Sequence, residues 1–280
     1  MKKLLIVDGM NLLFQMFYGM PSRIVNIKGK AIQGTLGFVG ALLKIIRMVS
    51  PTHVAVLFDG EYENERREID SDYKANRPDF EGLDENDIPF SQLPDVYAAL
   101  DHLGIKHAET ESCETDDVIA SYALTLGNEN EIVISSFDSD FFQLITDRVS
   151  VLRYRGDKTV ICDTAYIREK LGIEPRQYAD LKSLTGDTAD NVKGVDKVGP
   201  KTAALLLKEF GTLEGIIENA ELIKKPSVRE SVIKNTDRAK MNYRLIKLSA
   251  SAPLPFSLDE LEYSLPDTST REVLAAIGAM

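Results

Sequence analysis

The stretch KLLIVDGMNLLF, residues 3–14, opens with a short run of Leu, Ile and Val that stops at Asp8-Gly9. A continuous apolar run of this length is typical of a strand buried on both faces, and such strands belong to parallel sheets covered by helices. HVAVLF at 53–58 and EIVISS at 131–136 are runs of the same kind, and an Asp follows each within two residues. We therefore expect an α/β fold with a central, mostly parallel sheet flanked by helices.

The rest of the chain supplies further helix and strand patterns. Helices are expected at Gly34–Val49, Pro94–Leu103, Asp116–Leu126 and from about Thr164 onward, and strands at Val149–Tyr154 and Thr159–Cys162. Residues 61–93 break the pattern because they are highly charged, contain Pro78 and Pro89, and show little apolar periodicity. A segment of this length without a core of its own is typical of a functional loop or lid.

Nine acidic side chains fall where the expected strands end or where helices begin. They are Asp8, Asp59, Glu114, Asp116, Asp117, Asp138, Asp140, Asp187 and Asp190. In open α/β sheets the ligand lies outside the carboxyl ends of the strands, so these side chains are expected to converge. Two unit charges about 4 Å apart repel by roughly 4 kcal/mol at an effective dielectric constant near 20. Such a cluster predicts divalent cations, and oxygen-only ligands favour Mg²⁺ or Mn²⁺ over zinc.

Each group of acids also has a purely structural interpretation. Glu114, Asp116 and Asp117 precede an apolar run and are typical of the first turn of a helix, where acids cap free amides. Asp138 and Asp140 are equally typical of a solvated turn. What favours a metal site is that acids occur at every strand end in turn, since chance placement at all of them is far less probable than at any one.

The segment LTGDTADNVKGVDKVGPKTAALLLKEFG, residues 184–211, predicts two helices joined by a tight, glycine-containing turn. The second helix would open at Gly199-Pro200-Lys201, where Pro suits the first helical position and the free amides suit a phosphate. Lys193 and Lys197 add positive charge close by. The alternative is a packing element with solvated lysines. The upstream acids Asp187 and Asp190 favour the phosphate-binding interpretation.

Charge is unevenly distributed along the chain. The net charge is −11, yet residues 193–247 carry 12 Lys and Arg against 7 Asp and Glu, which leaves 21 basic and 37 acidic residues elsewhere. A basic carboxyl-terminal third beside an acidic body is compatible with phosphate contacts next to a metal site, although solvated helix faces would give the same count. Arg66, Tyr73 and Lys74 similarly suit a backbone phosphate and a stacked base, or simply an exposed loop of mixed charge.

Several protein classes are disfavoured. The two cysteines, Cys113 and Cys162, form neither a CxxC pair nor a zinc spacing, so a disulfide framework is not expected and a reducing cytoplasm fits. Asp8 interrupts the amino-terminal apolar run too early for a signal peptide. No apolar stretch approaches the roughly 20 residues that cross a bilayer.

Seven motifs occur in the order found in one family. They are VDGMNLLF at 7–14, FDG at 58–60, YKANRP at 73–78, ETDD at 114–117, SSFDSD at 135–140, GDTADNVKGV at 186–195 and VGPKTAALLLKEFG at 198–211. With them the chain resembles the bacterial 5′→3′ exonucleases of the flap endonuclease family, which occur fused to DNA polymerase I or alone. The chain is similar to the free-standing type.

The resemblance implies a PIN-like nuclease core over residues 1–174, with a helical arch at about 61–93. It also implies a helical region over 175–280 that contains a helix-hairpin-helix element at about 186–211. One metal ion would be held by Asp8, Asp59, Glu114, Asp116 and Asp138, and a second by Asp117, Asp140, Asp187 and Asp190. Lys74, Arg77, Asp116 and Asp140 are the expected catalytic residues. The expected DNA contacts are Arg66, Tyr73, Lys74, Arg77, Lys193, Gly194, Lys197, Val198, Gly199, Lys201 and Thr202.

The activity implied is hydrolysis of DNA near a free 5′ end with two Mg²⁺ or Mn²⁺ ions, and a potassium ion at the hairpin. The partner would be flap, nicked or 5′-ended duplex DNA, and the protein a monomer in the cytoplasm, associated with the nucleoid. The alternatives are a catalytically weak DNA-binding scaffold of the same fold and an RNA-directed PIN-type ribonuclease. Two positions depart from the family pattern, Gln15 in place of an Arg and Lys197 in place of a hairpin Gly.

Overall fold

The computed structural model of the chain describes residues 1–60, 65–76, 80 and 82–280. The strands of the described residues are β1 (Lys3–Asp8), β2 (His53–Asp59), β3 (Lys106–Thr110), β4 (Glu131–Ser135), β5 (Val149–Arg153), β6 (Val160–Cys162), β7 (Gly186–Asp187) and β8 (Val192–Lys193). The α-helices are α1 (Gly9–Gly19), α2 (Gln33–Val49), α3 (Glu65–Ile69), α4 (Leu93–Leu103), α5 (Thr115–Leu126), α6 (Thr164–Leu171), α7 (Tyr178–Thr185), α8 (Pro200–Phe210), α9 (Leu213–Glu218), α10 (Pro226–Lys234), α11 (Thr236–Ile246) and α12 (Thr270–Ala276).

The central sheet has six strands in the order β3-β2-β1-β4-β5-β6. The first five are parallel and only β6 is antiparallel to its neighbour, which confirms the expected α/β fold with a mostly parallel sheet. Asp8 pairs in register with Leu57, and Asp59 pairs with Thr110. Because these parallel strands end close to the same level, the side chains that follow them meet at one edge of the sheet.

Alternate residues of the strands face opposite layers of helices, as strand geometry requires. Leu5 and Val7 of β1 belong to one apolar cluster with residues of α1, α2, α4 and α12. Leu4 and Ile6 belong to another with residues of α5 and of the carboxyl-terminal helices α6 to α11. The sheet is therefore buried on both sides, which explains why its inner strands are continuously apolar. In the described residues, no helix combines the length and the apolar character that a bilayer crossing requires.

Sequence analysis did not predict strand β3, helix α1 or the two-residue strands β7 and β8. Strand β3 has the sequence KHAET, which is polar and sits at the edge of the sheet, so it lacks the apolar run that marked the inner strands. Helix α1 follows β1 without an intervening loop, and Asp8 itself caps it by accepting a hydrogen bond from the Asn11 amide at 3.0 Å.

The charged segment at 61–93 is described in part. Residues 61–64, 77–79 and 81 lie outside the described residues, which leaves 25 of the 33 residues of the expected arch within them. The described portion begins with α3, which packs against α11, and continues through a turn that ends at Asn76. Two short 3-10 turns, Glu85–Asp87 and Pro89–Gln92, lead into α4.

The carboxyl-terminal residues return to the amino-terminal layer. Helix α12 packs on α2 and α4, and Val273 and Leu274 are buried in the same apolar cluster as Leu5 and Val7. The amide of Tyr263 donates to the carbonyl oxygen of Thr52 at 2.9 Å, beside β2. The last segment of the chain thus completes the core on one face of the sheet.

Candidate metal and nucleic-acid site

Asp8 stands at the centre of the carboxyl edge of the sheet. Its carboxylate is 7% exposed and accepts hydrogen bonds from the Asn11 amide and, at 2.8 Å, from the Ser136 hydroxyl. Burial raises the pKa of Asp8 to about 7 against the effect of these two hydrogen bonds, and the charges of Asp59 and Asp138 contribute to the rise. A cation bound beside this carboxylate would favour its ionised form, which burial and the neighbouring charges disfavour.

Asp116 faces the same group from the first turn of α5. Burial raises its pKa well above the usual value, the charges of Asp138, Asp8 and Asp59 raise it further, and the charge of Lys74 lowers it. Four carboxylates delivered by β1, β2, α5 and the loop after β4 therefore repel one another at one place. This is the electrostatic arrangement expected of a cation site.

Three further carboxylates form a second, tighter group. Oxygen atoms of Asp140, Asp187 and Asp190 all lie within 4.8 Å of one another. Asp140 begins a 3-10 turn after β4, Asp187 belongs to β7, and Asp190 lies in the β7–β8 turn. Burial raises the pKa of Asp140 well above its usual value, and the charges of Asp138, Asp187 and Asp190 add to the rise. Asp138 influences both groups, so the two are adjacent.

The donor set fits divalent cations that prefer oxygen ligands. One carboxylate oxygen of Asp140, Oδ1, is fully buried and has no hydrogen-bond partner in the described part of the chain. A buried acceptor without a donor is costly, and an oxygen-liganded cation would satisfy it. Lys182 offsets part of the charge, since its Nζ lies 2.6 Å from Asp187 Oδ2.

Glu114 and Asp117 differ from the other acids because both form buried ion pairs with basic side chains. The Arg66 guanidinium bridges them, in a close contact with Glu114 and at 2.9 Å from Asp117 Oδ1, and Lys74 Nζ lies 2.8 Å from Glu114 Oε1. Asp117 also accepts the Ser249 amide at 2.8 Å. In this structure Asp117 therefore belongs to a buried ion-pair network, and does not join the trio of Asp140, Asp187 and Asp190 with which it was expected.

The segment that contains Arg66, Tyr73 and Lys74 lies over the two groups of carboxylates. Its backbone is joined to the second group, because the Lys74 amide donates to the Asp190 carbonyl at 3.0 Å. The Tyr73 ring is 3% exposed and packs in one apolar cluster with Ala179, Val192 and Leu245. A base cannot stack on that ring in this conformation, because core side chains cover it. Arg66 is likewise buried, and Arg77 lies outside the described residues.

The hairpin element follows directly on the second group of acids. Strands β7 and β8 form a minimal antiparallel pair, and α8 begins at Pro200 after an extended Gly199. A Cβ on Gly194 would lie 2.4 Å from the backbone carbonyl group of Thr185, so only glycine fits this crossing. Lys197 adopts φ +63°, a left-handed conformation that favours glycine, the residue that the family resemblance led us to expect at this position.

The predicted contact residues of the hairpin differ in accessibility. Lys193, Lys197, Gly199 and Lys201 are exposed, and Thr202 and Gly194 are half-buried. The Val198 side chain is buried, and its amide already donates to the Val195 carbonyl at 3.1 Å. Val198 therefore supports the loop from inside, because its side chain belongs to the core.

Sequence analysis missed three polar residues around the site, and it named a fourth, Gln15, only as a departure from the family pattern. Lys182 pairs with Asp187, Ser136 donates to Asp8, and Ser249 donates its amide to Asp117. Gln15 donates from Nε2 to the Tyr154 carbonyl at 2.7 Å, tying α1 to the residue after β5. Lys182 lies five residues before Asp187 and Ser136 two before Asp138, so spacing was a usable signal for both. Ser249 is distant in sequence and gave none.

Comparisons with known proteins cover the whole of this architecture. A family model described as "5'-3' exonuclease, N-terminal resolvase-like domain" matches residues 3–172, and "5'-3' exonuclease, C-terminal SAM fold" matches residues 173–269. DNA polymerase I of Streptococcus pneumoniae serotype 4 is 34% identical over 272 residues, 95% of this chain and 30% of that protein. Thermostable DNA polymerase I of Thermus aquaticus is 34% identical over 275 residues, 98% of this chain and 31% of that protein. The chain thus spans about a third of the length of these relatives.

Solved structures share the fold. T5 5′-exonuclease with bound zinc aligns with a TM-score of 0.72 at 23% identity, over 99% of this chain and all of that one. The catalytic core of Rad2 in complex with DNA substrate aligns with a TM-score of 0.59 at 18% identity, over 99% of this chain and 92% of that one. The matches to both family models, together with the fold that carries the acids and the hairpin, lead to one conclusion: the chain belongs to the 5′-3′ exonuclease family.

Proposed function

We propose that this protein hydrolyses DNA phosphodiester bonds near a free 5′ end, as a divalent-metal-dependent 5′→3′ exonuclease and flap endonuclease. The observation that carries the proposal is the trio of Asp140, Asp187 and Asp190, with its unpartnered buried oxygen, at the entrance to the hairpin. Asp187 belongs to β7 and Asp190 lies in the turn between β7 and β8. The same element therefore contributes to the cation site and to the close backbone contact at Gly194.

Two Mg²⁺ or Mn²⁺ ions are the proposed cofactors. Asp140, Asp187 and Asp190 would hold one, and Asp8, Asp59, Asp116 and Asp138 the other. Bound there, divalent ions would lower the pKa of a water molecule and stabilise charge on the phosphate. The raised pKa values of Asp8, Asp116 and Asp140 support this assignment, because burial and then the neighbouring carboxylates disfavour the ionised form, which a bound cation would stabilise.

Lys74 is the proposed electrophilic side chain. Its Nζ is buried beside Glu114, and its charge lowers the pKa of Asp116, so it lies within the electrostatic reach of both. A fixed ammonium group in a site shielded from water stabilises negative charge that develops on a phosphate far more than an exposed one does. Arg66 holds Glu114 and Asp117 in place from the other side.

The hairpin is the proposed grip on duplex DNA. Exposed Lys193, Lys197 and Lys201 surround the start of α8, and phosphate contacts of this kind orient a duplex without reading its sequence. Solved structures with the same fold include a pseudo-enzyme-product complex of T5 D15 flap endonuclease with DNA and metal ions, and the catalytic core of Rad2 in complex with DNA substrate. We extend the DNA partner to this chain, together with a potassium ion at the hairpin, a monomeric state and a location at the cytoplasmic nucleoid.

A cleavage assay on flap, nicked and single-stranded DNA tests the function. With Mg²⁺ the wild-type protein should release 5′ fragments, and excess EDTA should stop the reaction. Asp116→Ala and Asp140→Ala should abolish cleavage while flap binding persists, and Lys74→Ala should slow it by on the order of 100-fold. Asp157→Ala, an exposed acid in the β5–β6 turn, is the matched control and should cleave normally.

Two outcomes would contradict the proposal. Undiminished cleavage in EDTA, or by the Asp116→Ala/Asp140→Ala double variant, would exclude metal-dependent hydrolysis at these acids. Tight flap binding by the wild-type protein without cleavage in either Mg²⁺ or Mn²⁺ would instead support the alternative, a DNA-binding scaffold that keeps the fold.

A further inference from the structure

A second concave site lies in the carboxyl-terminal helical region, apart from the carboxylate edge. It is a cleft of about 670 Å³ between α7, α11 and the loop that joins α8 to α9. This volume is within the range of roughly 300–1,000 Å³ that small-ligand and side-chain pockets occupy. None of the nine acids lines it.

The floor of the cleft is apolar and held in place by the protein. Leu213, Ile217 and the ring of Tyr243 line it. Gln177 fixes the α8–α9 loop by donating from Nε2 to the Gly211 carbonyl at 2.6 Å, and Asp180 accepts the Leu213 amide at 2.9 Å. Because both bonds are internal, the cleft keeps its shape without a ligand.

The outer rim of the cleft is mostly cationic. Arg176, Lys240 and Arg244 are exposed, and within the described residues none of them forms an ion pair at 4.0 Å or less. Lys240 and Arg244 are four residues apart on α11 and so lie on one face of the helix. Two acids also line the cleft. Asp180 is buried and engaged by Leu213, and Glu214 is the exposed acid of the lining.

We propose that this cleft binds an acidic peptide segment of a partner protein, with one large apolar side chain inserted on the floor. The floor of Leu213, Ile217 and Tyr243 would remove that side chain from water, which stabilises binding by about 25 cal/mol for each Å² of apolar surface buried. Arg176, Lys240 and Arg244 would pair with flanking carboxylates at the rim. A DNA backbone would satisfy the cations but leave the apolar floor uncovered.

The position of the cleft also favours a protein partner over the DNA held by the hairpin. Helix α8 runs from Pro200, beside the hairpin, to Phe210, beside the cleft. Eleven residues of α-helix span about 16 Å, so the two sites lie at opposite ends of the helix. The cleft thus offers a way to recruit the nuclease while the carboxylate edge and the hairpin stay open. This inference goes beyond the proposed function and does not depend on it.

Peptide binding to the full-length chain tests the proposal. The probe is a fluorescein-labelled Asp-Asp-Asp-Leu-Phe peptide, followed by fluorescence anisotropy in EDTA, so that no metal is required. Wild-type protein should bind it saturably, and Lys240→Glu/Arg244→Glu should bind at least about tenfold more weakly. Lys28→Glu/Lys44→Glu changes the net charge equally at exposed positions of the amino-terminal half and should bind like wild type.

The apolar part of the proposal has its own controls. Ile217→Ala should weaken binding of the Leu-Phe peptide, whereas a peptide with Gly-Ser in place of Leu-Phe should bind weakly to wild type and variant alike. Circular dichroism and urea unfolding establish that each variant is folded. Arg176→Glu replaces the double variant if that one is not folded.

Three results would overturn the inference. These are no saturable binding by wild type, equal loss of binding in the Lys28→Glu/Lys44→Glu control, and displacement of the peptide by a 5′-phosphorylated duplex whose own binding depends on Lys240 and Arg244. The last result would identify the cleft as a DNA surface. Cleavage of flap DNA by the same wild-type protein tests the proposed function separately. A protein that binds the peptide but does not cleave DNA would contradict the proposed nuclease function and leave the peptide-binding inference intact.

Discussion

Asp140 shows how one residue links stability to function. Its carboxylate is buried, keeps one oxygen without a partner in the described part of the chain, and faces Asp138, Asp187 and Asp190. A position of this kind costs free energy in the metal-free protein, because burial and then the three nearby carboxylates oppose its ionisation. Residues that destabilise the free protein are typical of binding sites, where ligand binding raises the free energy of unfolding again.

Replacing Asp140 by Asn should therefore stabilise the metal-free protein while abolishing cleavage. The folded-state pKa of Asp140 lies above its ordinary value of 3.8, so the folded protein holds this proton more tightly than the unfolded chain. Ionisation at this position then lowers the free energy of unfolding progressively as pH rises above that value. Urea unfolding in EDTA over a series of pH values should show wild type losing stability as the pH rises, and Asp140→Asn losing less.

A saturating concentration of Mg²⁺ supplies the control for this prediction. It should raise the unfolding free energy of wild type by more than that of Asp140→Asn, because the variant lacks one ligand of the trio but keeps the other proposed cation group. If the Asn variant were less stable than wild type in EDTA at the higher pH, the carboxylate would be a structural group rather than a strained ligand.

Lys197 is a second residue where local conformation and chemistry conflict. At φ +63° a side chain with a Cβ is strained by roughly 1–2 kcal/mol, which glycine avoids. We expect Lys197→Gly to be more stable than Lys197→Ala by about 1 kcal/mol in urea unfolding. Lys193, in β8, lacks this conformation, so the order should reverse there, with Ala more stable than Gly. The same order at both positions would mean that the left-handed turn is not formed.

At the scale of elements, the hairpin between α7 and α8 depends on close backbone contact. Gly194 crosses Thr185 and Gly186 so closely that a Cβ would overlap their backbone atoms, the nearest at 2.4 Å. Asn242 holds the same crossing from α11, donating from Nδ2 to the carbonyls of Ser183 and Lys193, both at 2.9 Å. The hairpin is therefore positioned by α7 and α11 together, and its distance from Asp187 is set by the rigid β7–β8 pair.

Gly194→Ala should distort this crossing, cost roughly 1–3 kcal/mol of stability and weaken binding to duplex DNA. Gly199→Ala is the matched control. Its φ is −86° and no atom lies within 4 Å of the position that a methyl group would take there, so the fold should tolerate it. Thermal unfolding and a duplex-binding titration measure both effects. Equal stability of the two variants would show that the backbone at Gly194 has room for a Cβ.

At the scale of the whole molecule, the two ends of the chain share one core. Leu274 of α12 is 1% exposed and packs with residues of β1, β2 and α2, far away in sequence. Tyr122 of α5 likewise donates its hydroxyl to the Phe256 carbonyl at 2.7 Å. The carboxyl-terminal residues, which include the hairpin, thereby contact both faces of the sheet. The same sheet carries the acids at its edge. This fixes the hairpin relative to the carboxylate edge.

Leu274→Ala should destabilise the amino-terminal core although it lies at the other end of the chain. Truncation of a fully buried Leu costs about 2–5 kcal/mol, and the loss should appear in a single unfolding transition. Arg271→Ala, an exposed position one turn earlier, should change stability by less than about 0.5 kcal/mol. Loss of α12 alone, with the rest unfolding at the wild-type midpoint, would show that the two ends fold independently.

Patterns within the sequence determined the fold class and most of the candidate acids. Buried parallel strands must be continuously apolar, so β1, β2 and β4 were marked by composition, and the acids that follow them were visible as strand-end residues. The hairpin was visible for a similar reason, since a crossing without room for a Cβ requires glycine at Gly194. The family motifs added its expected role.

Only the tertiary structure decided which of these residues contact one another. It placed Glu114 and Asp117 with Arg66, gathered Asp140, Asp187 and Asp190 into one group, covered the Tyr73 ring with core side chains, and brought Ser249 and α12 back to the sheet. The physical reason is range. Strand and helix periodicity act over a few residues, whereas the ion pair of Arg66 with Asp117 joins residues 51 positions apart and the hydrogen bond of Ser249 to Asp117 joins residues 132 apart. No local pattern records which of these pairs will meet.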